Sequence, residues 1–132
     1  NDQVYVLEIG ARAGATCLPE LVSIYYDFDY YAYILELSLG TNHRVDFSPR
    51  HPCGNLLITS DRGGTLEGID VDDFGLEIME MVFDYHPGEM VPQFRVGPDR
   101  LGHIVLKGLD EAKVRSDLDG LPSRITVRLQ GG

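Results

Sequence analysis

The sequence predicts an α+β fold in which a strand and two helices pack with an antiparallel, β-rich unit. Three observations carry this. An apolar run over residues 4–9 ends in a glycine-broken loop, two segments of helical spacing follow it as far as Gly40, and from residue 55 onward short β-patterned runs alternate with tight turns. A length of 132 residues with 43% hydrophobic content is enough for the core of one domain, or of one small domain and a piece of another.

The opening run, Val4-Tyr5-Val6-Leu7-Glu8-Ile9, has few polar positions before Glu8. That pattern suits a strand covered on both faces, with Glu8 near its end. Gly10-Ala11-Arg12-Ala13-Gly14-Ala15-Thr16 comes next. Its glycines allow a sharp turn or a close approach to a ligand, and Arg12 offers a planar, permanently charged fork for carboxylate or phosphate oxygens. Glu8 and Arg12, four residues apart, suit an anionic, metal-bearing substrate, but by spacing alone an ordinary ion pair at a strand end is the favoured reading.

Pro19 stands at a first helical position, and Leu18, Leu21, Val22 and Tyr25 recur at helical spacing, which predicts a short amphipathic helix covering the sheet. Asp27 or Asp29 can cap a second helix over residues 30–39, with Gly40 in the stopping position. Tyr25, Tyr26, Tyr30, Tyr31 and Tyr33 crowd this region, and at helical spacing they read as packing with hydroxyls at the rim.

The pattern lapses over residues 41–54, where Asn42, Pro49, Pro52 and Gly54 mark an irregular connection, taken as the boundary between a unit 1–40 and a unit 41–132. His43, His51 and Cys53 match no standard metal spacing, and Cys17 and Cys53 read as packing residues. In the second unit, residues 55–59, the turn Asp61-Arg62-Gly63-Gly64 and residues 65–69 read as a hairpin. Residues 76–85 form a β-rich segment whose broken alternation fits a bulge or a helical turn. After the turn His86-Pro87-Gly88, strands over 90–96 and 102–107 are expected to form a second hairpin around Gly97-Pro98-Asp99. Asp110 can cap a short helix running to Leu118, and residues 124–129 alternate as a last strand. Asp70, Asp72 and Asp73 supply only the beginning of a calcium loop and read as a solvated turn.

A formal net charge of −10 repels phosphate backbones and anionic lipid, and no basic patch offsets it, so neither nucleic acid nor a membrane surface is an expected partner. The apolar runs fall short of a bilayer span, and a cytoplasmic protein is expected. The chain is in strand pattern by Gln3 with no lead-in, as a fragment of a longer polypeptide would be, and an open edge over residues 3–9 could pair two copies as a homodimer.

The order of Glu8-Ile9-Gly10-Ala11-Arg12, a glycine-containing loop, Leu18-Pro19-Glu20-Leu21-Val22-Ser23, two helices to Gly40, Asp99-Arg100-Leu101-Gly102-His103-Ile104-Val105 and Gly108-Leu109-Asp110-Glu111-Ala112 resembles the C-terminal part of ATP-grasp ligases. The likeness is to the carboxylate–amine ligase branch, which includes L-amino-acid ligases and carbamoyl-phosphate-synthase-like proteins. It implies that residues 1–40 end the ATP-binding subdomain and residues 41–132 form a small β-rich C-terminal domain. The family's motif here is Glu-x-Asn-x-Arg. Carried over, Glu8 is the magnesium ligand at the ATP phosphates and Arg12 the catalytic anion clamp, with Gly14, Ala15 and Thr16 joining Arg12 in substrate binding. Gly10 stands where the family has asparagine, a departure at one metal ligand.

The resemblance further implies a parent that forms an amide or peptide bond through an acyl phosphate, using ATP and Mg2+ with a small carboxylate and an amine. The family's phosphate-gripping parts have no match in this sequence, so the chain alone is expected to be inactive. The alternative is a non-catalytic, ATP-grasp-derived structural or interaction domain in which Glu8 and Arg12 are structural.

Overall fold

The computed structural model of the protein describes Tyr5, residues 13–41 and residues 44–131. In chain order the elements are α1 (Leu18–Tyr26), α2 (Tyr30–Ser38), β1 (Cys53–Ile58), β2 (Gly64–Val71), β3 (Glu77–Phe83), β4 (Met90–Val91), β5 (Gly102–Lys107), α3 (Glu111–Gly120) and β6 (Ile125–Gln130). Short 3-10 turns occupy Gly97–Asp99 and Leu121–Arg124. The α+β class is as expected. Of the opening run and the loop through Arg12, all but Tyr5 lie outside the described residues.

Local chemistry sets the helices. Asp29 caps α2, its Oδ1 accepting from the Ala32 amide at 2.9 Å, and Asp110 caps α3 by accepting from the Lys113 amide at 2.7 Å. The Ser23 hydroxyl accepts from the Tyr30 amide at 3.1 Å, which ties the start of α2 to α1. Gly40, at φ 78, follows the end of α2. The aromatic residues pack edge to face, Tyr26 on Phe47 and Phe28 on Tyr33.

The strands form two antiparallel sheets of three, in the orders β1-β5-β3 and β4-β2-β6. Both expected hairpins are thereby corrected. Residues 55–59 do not fold back on 65–69: β1 pairs with β5, Leu57 lying opposite His103, while β2 sits in the other sheet. Residues 90–96 do not pair with 102–107 either, because β4 is only Met90–Val91 and lies on β2. The physical reason is β5, which is buried from Gly102 through Leu106. A strand buried on both faces belongs in the middle of a sheet, and β5 uses both of its edges, one on β1 and one on β3. The irregular alternation in β3 is a bulge, with a register shift between Ile78 and Glu80.

Ile104 and Leu106 of β5 join Ile58, Leu66, Val91, Leu101, Val114 and Leu121 in the core, so the second sheet and α3 close one face of the first. His103, Val105 and Lys107 alternate to the other face, together with their register partners Leu57, Asn55 and Cys53. α1 covers that face: the Cys53 thiol donates to the Leu21 carbonyl at 3.3 Å. The irregular connection is pinned beside it, the Arg50 amide donating to the Tyr25 carbonyl at 2.9 Å. Among the described residues no helix is long and apolar enough to cross a membrane.

Candidate functional site

The loop leading into α1 is tightly held. A Cβ at Gly14 would overlap the Leu18 side chain, so glycine is what lets the backbone lie against α1. Thr16 and Cys17 both take φ 63, a left-handed conformation that costs non-glycine residues ~1–2 kcal/mol each. Burial of Cys17 and the bond from the Leu21 amide to its carbonyl, 2.9 Å, hold the loop in that shape.

Facing the loop is the rim where β3 ends and β5 begins. The Asp84 amide donates to the Leu101 carbonyl at 2.8 Å, extending the ladder one step past Phe83. Arg100 Nε then donates to Asp84 Oδ2 at 2.7 Å. Asp99 shapes the turn before it, its Oδ2 accepting from the Arg95 and Val96 amides at 3.0 and 3.1 Å. Between loop and rim lies an open cleft of 560 Å³, with Ala15 and Thr16 on one side and Asp84, Tyr85, Gly97, Pro98 and Arg100 on the other. That volume lies within the range of small-molecule sites.

Neighbouring groups shift three side chains at or near the cleft. The hydrogen bond to Asp84 raises the Arg100 pKa above its ordinary value, so the guanidinium is a permanent cation. Burial, and then the Glu20 carboxylate, push the Cys17 thiol up, with Arg100 opposing them. Cys17 is thus a protonated packing residue at neutral pH and no nucleophile. Glu20, in the first turn of α1, accepts from the Tyr31 hydroxyl at 2.5 Å, and that bond pushes the phenol up to about 12. Under α1, His103 is buried on β5 with Nε2 3.6 Å from Glu80 Oε2 and Nδ1 unpartnered.

Of the expected site residues, Ala15 and Thr16 line the cleft and Gly14 packs behind them on Leu18. Glu8 and Arg12 lie outside the described residues. Among the described residues no three His, Cys, Asp or Glu side chains converge to hold a metal ion. Sequence reasoning does not reach Asp84, Tyr85 or Arg100 as cleft residues. Arg100 carries a usable signal, because it sits inside the Asp99-Arg100-Leu101-Gly102 stretch on which the family resemblance rests. Asp84 and Tyr85 carry none, since only the pairing of β3 with β5 brings them there.

A helix set over one face of an antiparallel sheet, with a second helix packed on it, entered through a glycine-containing loop and backed by a second sheet, is the fold of part of an ATP-grasp ligase. Two solved structures of such ligases are similar to it. Phosphoribosylglycinamide synthetase from Anaerococcus prevotii is 26% identical with a TM-score of 0.77, over 96% of this chain and 34% of its own. L-amino acid ligase from Bacillus licheniformis is 18% identical with a TM-score of 0.80, over 96% of this chain and 33% of its own. The chain therefore spans about a third of the length of each. No protein-family model and no curated protein matches it.

Proposed function

We propose that this chain is the C-terminal part of an ATP-dependent carboxylate–amine ligase that forms an amide or peptide bond through an acyl phosphate, and that the chain is inactive alone. One observation supports the reading above others: loop residues Ala15 and Thr16 face the fixed cation Arg100 across a cleft of 560 Å³. They do so in a chain with 96% of its length similar to an L-amino acid ligase. Residues 1–40 then end the ATP-binding subdomain and residues 41–132 form the C-terminal domain.

In this reading a substrate carboxylate oxygen attacks the γ-phosphorus of ATP and ADP leaves. The amine nitrogen next attacks the acyl carbon, phosphate departs, and the nitrogen gives up a proton. Arg12 clamps the oxygens on which charge grows, and Arg100, braced by Asp84, offers a second cation to an anionic group entering the cleft. Gly14, Ala15 and Thr16 form the wall that orients the substrate.

Bound magnesium would supply charge neutralisation at the transferring phosphoryl group. The described residues offer no cluster for it. Glu8 would contribute one ligand and upstream parts the others.

The test is hydroxylamine trapping of an acyl phosphate, together with carboxylate-dependent ADP release, on the 132-residue chain and on the full product of its gene. Hydroxamate is expected from a full product that includes the ATP-gripping parts and none from the 132-residue chain. A full product that releases no ADP with any carboxylate and amine tried would overturn the ligase reading. It would favour the non-catalytic interaction domain, toward which Gly10, at the family's asparagine position, already points. A cytoplasmic location, where ATP is abundant, belongs to the same proposal.

A further inference from the structure

α3 lies directly on the start of β1, where a Cβ at Gly54 would overlap the Leu118 side chain. Beside that contact, between α3 and the last turn of α1, is an open cavity of 390 Å³, within the range of small-molecule sites. Pro52, Cys53, Val114 and Leu118 give it an apolar wall, and Tyr25 adds an aromatic ring. Glu111, Arg115 and Asp119, spaced one turn apart along α3, bring three exposed charges to the same cavity. Among the described residues none of these three side chains has a hydrogen-bond or ion-pair partner. Pairing at this spacing is common on a helix, and Lys113 and Asp117 of α3 do pair, at 2.5 Å. The cavity stands at the Cys53–Lys107 end of the first sheet, whereas the Arg100 cleft opens at the Ile58–Gly102 end.

We propose that this cavity binds a free α-amino acid with an apolar side chain. Arg115 takes the carboxylate on its planar fork, Glu111 and Asp119 take the ammonium, and the wall of Pro52, Cys53, Val114 and Leu118 takes the side chain. The charges select the class. Two carboxylates about one guanidinium repel a simple anion, and the guanidinium repels a simple cation, but a zwitterion meets an opposite charge at each end. The apolar wall then favours a ligand whose remaining atoms are hydrocarbon. The inference concerns this chain's own residues and stands apart from the ligase reading.

The test is an amide NMR titration of the 132-residue chain with L-leucine and with two half-ligands. Isocaproate keeps the leucine side chain and carboxylate without the ammonium, and isoamylamine keeps the side chain and ammonium without the carboxylate. Leucine should shift the Cys53, Val114 and Leu118 amides to saturation, and each half-ligand should bind about tenfold more weakly or worse. Arg115→Ala, at an exposed position, should keep the fold and weaken leucine binding about tenfold, while Arg100→Ala should leave it unchanged. Binding of either half-ligand as tight as that of leucine would overturn the proposal. So would leucine binding that is lost in Arg100→Ala and kept in Arg115→Ala, which would place the amino acid in the cleft. Shifts at these amides that are absent or fail to saturate would overturn it as well.

Discussion

Arg100 and Asp84 lie sixteen residues apart in sequence and meet at 2.7 Å just beyond the end of the β3–β5 ladder. Phe83 stands opposite Gly102, so the chain leaving β3 and the chain entering β5 run side by side, and the two charged residues are set at the mouth of the cleft. Their side chains are 30% and 31% exposed, which leaves the pair partly screened by solvent. Arg100→Ala should therefore cost the chain only about 1 kcal/mol. Thermal melting of Arg100→Ala, Asp84→Ala and the double variant checks this: the second substitution should add little once its partner is gone, and fully additive losses would mean the two residues act independently.

Gly102 admits no side chain. A Cβ there would overlap the Val82 carbonyl oxygen in the neighbouring strand, backbone that cannot swing away. Gly102→Val is expected to lower stability by ~3 kcal/mol or more, because a central strand must shift to accommodate it. Asp99→Ala removes only the carboxylate bonds to two exposed turn amides and should cost ~1 kcal/mol. Equal losses in denaturant unfolding of the two variants would contradict this division.

Tyr31 gives a pH signature. Its hydroxyl can donate to Glu20 only while protonated, so its ionisation moves from 10.0 to about 12. The folded value lies above the unfolded one, so the stabilisation from this bond is complete below pH ~10 and is lost as pH rises through about 12. Ultraviolet titration of wild type should show a late phenol that disappears in Tyr31→Phe. In Glu20→Gln the same phenol should titrate earlier, and a late phenol that persists there would rule out the carboxylate as the cause.

On the proposed ligase reading, Glu8 and Arg12 should separate in the full gene product. Glu8→Gln keeps size and removes charge, so acyl-phosphate formation should fall and recover in part with excess magnesium. Arg12→Lys keeps charge but loses the bidentate fork, so a loss of roughly 1–3 kcal/mol should appear in binding of substrate or phosphoryl oxygens, with little response to magnesium. Steady-state kinetics across a magnesium series distinguishes the two. Identical, magnesium-insensitive losses would mean an ion pair with no part in the chemistry.

What could be read from the residues is what neighbouring residues decide. Asp29 and Asp110 announce the starts of α2 and α3 because a cap bonds an amide only three positions on. The broken alternation of residues 76–85 likewise announces the β3 bulge. Strand partners are not local in this sense. The turn residues at 61–64 are as good for a crossing between sheets as for a hairpin, and the feature that decides, β5 buried on both faces, lies some forty residues further on. The cleft divides the same way. Ala15 and Thr16, which line the cleft, are residues that the family resemblance names, whereas Asp84 and Tyr85 become neighbours of that loop only through sheet pairing.

The insertion of β5 between β1 and β3 also sets an order of events during synthesis. Neither flanking strand has its full sheet partner until Lys107 has been made, and β1 must wait through more than a third of the chain for it. Contacts so far apart in sequence make for slow folding, since loop-closure entropy is lost before the pairing compensates it. On the ribosome the helices can form early while β1 and β3 remain open edges, exposed to wrong pairing until the last third of the chain emerges.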